Sequence, residues 1–296
     1  MGRHAKKNRF PFWLLMLMIV VVFLFTISSI GFTESILAAV DRILGIENTQ
    51  DNNNGEGDEE AKKPPEKTPD PTSDPDPTLD PDPTSDPDRI AYLTFDDGPS
   101  AITPKILDIL RNYDVKATFF VIGVDTEFGR DMYRRIAQEG HAIGNHTYSH
   151  DYSQIYLSQE AFMEDFYKLE DLLWEVVGIR PKIMRFPGGS ANHSSHDYAG
   201  PDFMEGMTDR IVEEGYQYFD WNVTSGDTAQ TIVFQEEIIN NVLAGIEGKD
   251  EAMILFHDLG TKKTTLKALP VIIEHLKEEG FAFRSVCKNT PGFRFH

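Results

Sequence analysis

From residue 89 onward, short apolar runs alternate with longer amphipathic ones. The runs IAYLTF, KATFFVIG, HAIGNH, KIMRF, YQYFDW, AMILFH and FAFRSV read as strands. Between them, apolar positions recur at helical spacing. One helix starts at Pro104 behind a Thr103 cap, and others are TEFGRDMYRRIAQEG, SQEAFMEDFYKLEDLLWEVVG and KKTTLKALPVIIEHLKEEG. Gly140, Gly178 and Gly280 fit C-caps, and Pro270 predicts a kink or a restart. Strand–helix alternation of this kind implies parallel strands with helices outside them, in a closed barrel or an open doubly wound sheet.

The pattern ahead of residue 89 is different. Residues 10–32 form an uncharged apolar run of about 23 residues, enough to cross a bilayer as one helix. Arg3, Lys6, Lys7 and Arg9 precede it, so the positive-inside rule puts residues 1–9 in the cytoplasm and all that follows outside. A cleaved signal peptide would have a shorter apolar core and a better small-x-small site than TESILAAV, which favours an uncleaved anchor. Residues 33–88 read as a linker whose repeat TPDPTSDPDPTLDPDPTSDPD favours the extended polyproline geometry. At about 3.1 Å per residue, its last 40 or so residues reach on the order of 100 Å. Such a disordered stalk suits a target held away from the membrane, such as a cell wall. The catalytic domain is then expected over 89–296.

Net charge is −20, divided as about +3 over residues 1–46, about −11 over 47–88 and about −12 over 89–296. An acidic domain repels phosphates, so nucleic acid is not an expected partner. Cys287 is the single cysteine, which excludes an internal disulfide and reads as a small buried hydrophobe.

Polar clusters occur where strands end: TFDDGP, NHTYSH, RFPGGS, FDW and LFHD. Parallel barrels build their sites on that rim from several strand ends, whereas an open sheet concentrates them at one switch point. The expectation is therefore a (β/α) TIM-like barrel of about seven parallel strands. His146 and His150 lie four apart, and with the Asp97 carboxylate they form a facial set that leaves coordination positions open. A cation there would neutralise one of the adjacent aspartates and leave Asp96 as a base. Two imidazoles and a carboxylate suit one divalent ion: zinc, with cobalt, nickel or manganese compatible.

The ordered motifs TFDDGP, HTYSH, RFPGG, DW and LFH resemble those of the polysaccharide deacetylases, the NodB-homology domains of carbohydrate esterase family 4. The resemblance spans roughly residues 90–290 and implies a distorted (β/α) barrel and a metal-dependent enzyme that removes acetyl groups from N-acetyl sugars in a polymer. It implies Asp96 as catalytic base, Asp97, His146 and His150 as metal ligands, and Arg185 as the partner of the base. It further implies His257 as catalytic acid, Asp220 as partner of that histidine, and Trp221 and Leu255 as walls of the acetyl pocket. Gly188, where the family often has a larger residue, is the candidate backbone N–H donor to the oxyanion. With the anchor and stalk, the expected substrate is N-acetylglucosamine in peptidoglycan, for an enzyme on the outer face of the cell membrane. N-acetylmuramic acid, poly-N-acetylglucosamine, chitin fragments and acetyl-xylan are the alternative glycans, and a silent glycan-binding module is the alternative class. His141 reads as structural, His193 and His196 as a polar rim loop, and Asp227 as a turn residue with no required role.

Overall fold

The computed structural model describes residues 87–295. The predicted anchor, and the stalk up to residue 86, lie outside the described residues. Among the described residues, no helix is long and apolar enough to cross a membrane.

The elements run in order β1 (Ile90–Asp96), α1 (Thr103–Asn112), β2 (Thr118–Val121), α2 (Glu127–Gln138), β3 (Ala142–Asn145), α3 (Tyr152–Ile155) and α4 (Gln159–Val177). There follow β4 (Ile183–Met184), α5 (His196–Ala199), α6 (Phe203–Glu213), β5 (Gln217–Tyr218), β6 (Val223–Thr224) and α7 (Gln235–Gly245). The domain ends with β7 (Glu251–His257), α8 (Lys263–Glu278) and β8 (Ala282–Phe283). Thr126, Asp151 and Ser158 cap α2, α3 and α4 by accepting from backbone N–H groups of the first turn. Gly140, Gly178 and Gly280 all have positive φ just past helix ends. Thr103 does not cap α1: it lies inside the helix, and its hydroxyl donates to Asp258 at 2.5 Å. Pro270 sits within an unbroken α8.

Every pairing is parallel, in the order β5-β4-β3-β2-β1-β7-β6. β7 covers one edge of β1 along its whole length. β8 therefore joins β1 on the other edge, at Ile90 and Ala91, below the β2 contact. The expected barrel is thus a half-barrel: β5 and β6 end the sheet and do not pair. The run YQYFDW, read as one strand, is cut here. β5 holds its first part against β4, and residues 219–222 cross to the far end, where β6 pairs with β7.

All seven residues of β1 are buried, because β1 is paired on both edges and covered on both faces. Strand alternation sends Phe95 outward under the helices, where it stacks on its register partners Phe119 and Phe256 at 5.2 and 5.5 Å. On the other face, Tyr92 joins Phe120, Ile183, Phe219 and Met253 in a cluster that fills the bore. Thr94 and Asp96 lie on the same face toward the C-terminal end of β1, so the strand delivers its carboxylate at the rim. Cys287 departs from expectation and is exposed. It sits in a turn closed by Thr290 N–H on its carbonyl, one residue after the buried Val286.

Candidate active site

Two adjacent aspartates end β1. Strand alternation alone would point them to opposite faces, but Asp97 adopts φ 71°, which turns its carboxylate back over the rim. Thr147 and His150 also have positive φ, at 67° and 52°. Each such residue costs of order 1–3 kcal/mol, so the surrounding contacts must over-determine the loop. They do. Asn145 accepts from Thr147 N–H and donates to the Phe166 carbonyl, while Asp165 of α4 accepts from Tyr148 N–H at 2.6 Å and Ser149 N–H at 3.0 Å.

The result is a convergence of three donor groups. Asp97 Oδ1 lies 3.4 Å from His146 Nε2 and 3.2 Å from His150 Nε2. Ligand atoms of the three lie within 4.8 Å of one another, the sole such group of three or more among the described residues. His146 Nδ1 is 2.7 Å from the Arg185 carbonyl, which can only accept, so the ring's Nδ1 carries the proton and its Nε2 lone pair faces inward. Asp97 Oδ1 is buried with no hydrogen-bond partner. Lone pairs thus face one another around an orphaned anionic oxygen, and a divalent cation fits that set. Without one, the demand falls on protons. Burial opposes charge at both groups, yet the histidines hold the Asp97 carboxyl at about 2, and Asp96 and Asp97 push His146 upward. Burial and the His146 charge push His150 down.

Asp96 is divided from Asp97 by its partner. Arg185, with no exposed surface, donates to Asp96 Oδ1 and Thr94 Oγ1 at 2.8 Å each, to the Phe219 carbonyl at 2.9 Å and to the Asp220 carbonyl at 2.8 Å. Its guanidinium also lies 4.3 Å from the centre of the Phe120 ring. Asp96 Oδ2 is left facing His146, 3.8 Å from Nε2. Across the β1–β7 ladder, the register partner of Asp96 is His257.

The partner of His257 is not Asp220. His257 Nδ1 pairs with Asp227 Oδ1 at 2.8 Å, and Asp227 Oδ2 accepts from His257 N–H and Thr265 Oγ1 at 3.0 Å each. Register explains the correction: Thr224 of β6 pairs with Leu255 of β7, so the chain just past Thr224 runs alongside His257. Burial disfavours the imidazolium, but Asp227 outweighs it and raises the His257 pKa. Asp220 instead accepts from Ser190 N–H at 2.7 Å, Ser190 Oγ at 2.5 Å and Phe295 N–H at 2.9 Å. The signal for Asp227 was its place after a short β-prone VTS run, easily passed over beside the more conspicuous FDW.

Leu255 is buried on the same face of β7 as His257. Trp221 is half-buried, with its ring edge-on to Phe295 at 5.0 Å and against Gly189. Gly188, at φ 78°, makes no backbone hydrogen bond through its N–H among the described residues. His141 accepts from Ala117 N–H, and burial lowers its pKa to about 4, in keeping with a structural role. His193 and His196 stack edge-on at 4.9 Å beside a cavity of about 600 Å³ that Glu205 and Asp209 also line, with no third ligand gathered.

A cation-ready cluster, a buried carboxylate and an aspartate-backed histidine on one rim are the parts of a hydrolytic centre. The chain belongs to the polysaccharide deacetylase family, whose model matches residues 84–200. It is a hydrolase of N-acetyl amide bonds. It is 32% identical over 201 residues to a peptidoglycan-N-acetylglucosamine deacetylase of Bacillus cereus, covering 67% of this chain and 69% of that protein. It is 31% identical over 198 residues to the chitin deacetylase of Colletotrichum lindemuthianum, covering 64% and 74%. Among solved structures, the catalytic domain of a peptidoglycan N-acetylglucosamine deacetylase from Eubacterium rectale superposes with TM-score 0.67 at 35% identity, covering 73% of this chain and 99% of that one.

Proposed function

We propose that this protein deacetylates N-acetylglucosamine residues of peptidoglycan, using a divalent cation held by Asp97, His146 and His150. The observation that carries the reading is the orphaned Asp97 oxygen facing two imidazole nitrogens beside Asp96 and His257. Zinc suits the two nitrogens and one carboxylate. When bound, the ion supplies Lewis acidity to the acetyl carbonyl and acidifies water.

The remaining work belongs to the chain. Asp96, its Oδ1 fixed by Arg185, takes a proton from the attacking water through Oδ2. As the water oxygen bonds to the acetyl carbon, charge grows on the carbonyl oxygen, and the Gly188 N–H is the candidate donor to it. An amine leaves poorly until protonated. His257, held by Asp227 through Nδ1, gives its Nε2 proton to the amide nitrogen as the C–N bond breaks, releasing acetate and the free amine. Leu255 and Trp221 wall the acetyl methyl.

The polymer is supported by the two peptidoglycan deacetylases named above, and the uncharged run at 10–32 with its acidic stalk supports an outward-facing enzyme anchored in the cell membrane. Mass analysis of muropeptides from purified wall treated with the full chain, with and without chelator, tests the whole reading. The expected result is a loss of acetyl mass from N-acetylglucosamine that chelation abolishes. Activity on chito-oligosaccharides with none on wall material would move the substrate to chitin, and turnover indifferent to chelation would overturn the metal site.

A further inference from the structure

The seam between β5 and β6 is occupied. Asp220, crossing it, donates its N–H to the Phe293 carbonyl at 2.7 Å and accepts from the Phe295 N–H at 2.9 Å. Phe293 packs against the bore cluster and meets Tyr92 edge-on at 6.0 Å. Arg294 lies over the Tyr218 ring at 4.3 Å. Phe295 reaches the rim, edge-on to Trp221 and 3.2 Å from where a Cβ on Gly189 would stand.

Asp220 carries this contact onward. Its carboxylate is buried and makes no ion pair among the described residues, so its charge rests on three donors: Ser190 N–H, Ser190 Oγ and Phe295 N–H. Its carbonyl accepts from Arg185. Ser190 follows Gly188 and Gly189, both at positive φ and so without a side chain to fix the loop. We infer that the segment Phe293–Phe295 is a positioning element of the active site, which through Asp220 fixes the loop bearing the Gly188 N–H. The inference rests on the role proposed for that N–H. A buried carboxylate deprived of one donor shifts toward those that remain, and two of these are on Ser190. The Ser190 end of the loop therefore moves with it, while Tyr156 still holds the Pro187 carbonyl.

Two substitutions in the full chain separate the N–H from the ring. Phe295→Ala loses the ring and keeps the donor, whereas Phe295→Pro loses both. The expected result is a Ser190 amide that exchanges about tenfold faster in the proline variant than in the alanine variant, with metal content unchanged in both. The same pair should differ about tenfold in kcat with KM altered by less than about twofold, as misplacing a transition-state donor requires. Equal exchange and equal kcat in the two variants would overturn the inference. If the unaltered chain releases no acetate, the functional reading fails, and the exchange comparison still decides whether Phe295 holds the loop.

Discussion

Replacing Arg185 with methionine removes the floor of the site while keeping an unbranched side chain against Phe120. Four hydrogen bonds vanish together: two neutral carbonyls, the Thr94 hydroxyl and the Asp96 carboxylate each lose a donor. The dominant loss is the last. Asp96 is 3% exposed, and breaking a buried ion pair from one side typically costs about 3–5 kcal/mol. An orphaned carbonyl adds about 1 kcal/mol or more where water does not reach it. With one carbonyl left dry the total is about 4–6 kcal/mol, which at about 2–4 °C per kcal/mol for a domain of roughly 200 residues lowers Tm by about 8–24 °C. Thermal unfolding followed by circular dichroism, on metal-loaded and chelated full chain, measures it. Arg185→Lys should fall between the two, since an ammonium is a compact point charge and lacks the planar fork that spans these acceptors. A loss below about 1 kcal/mol would refute the reasoning, for it would mean that water already serves Asp96 and the carbonyls.

The other expectations concern the chemistry. As the proposed acid, His257 must be protonated to act, and its raised pKa predicts that activity is lost as pH rises through that value. Asp227→Asn should therefore move the alkaline limb of the kcat profile to lower pH, whereas Asp220→Asn should leave that limb in place. Asp96→Asn should abolish acetate release yet retain metal by elemental analysis, because the three proposed ligands are untouched; near-normal turnover would remove Asp96 as the proposed base. Asp165→Ala frees the loop between the histidines and should weaken zinc binding about 10–100-fold in a competition titration.

What could be read without coordinates was whatever a motif carries within itself. Asp96–Asp97, His146–His150 and the RFPGG loop each hold their chemistry in a few consecutive residues, and placing each at a strand end was enough to gather them. The error over Asp220 arose where chemistry depends on pairing between distant strands. A two-residue strand such as β6 has no periodicity to detect, so nothing local showed that the chain changes sheet edges after Trp221. The same seam hid the role of Phe293–Phe295, which is legible only once the barrel is seen to be open. Cys287 was misjudged for a related reason: β8 is only two residues long, too short to fix which way a residue beyond it faces.

The position of β1 has a consequence for how the chain is made. It is the first strand of the domain and lies within the sheet, yet its partner across the Thr94–Ile254 hydrogen bond is 160 residues further on. A nascent chain emerging from the ribosome or a translocation pore must therefore carry the apolar run IAYLTF with one edge open until β7 arrives. Such long-range closure slows folding and leaves this edge open to mispairing while the chain is incomplete.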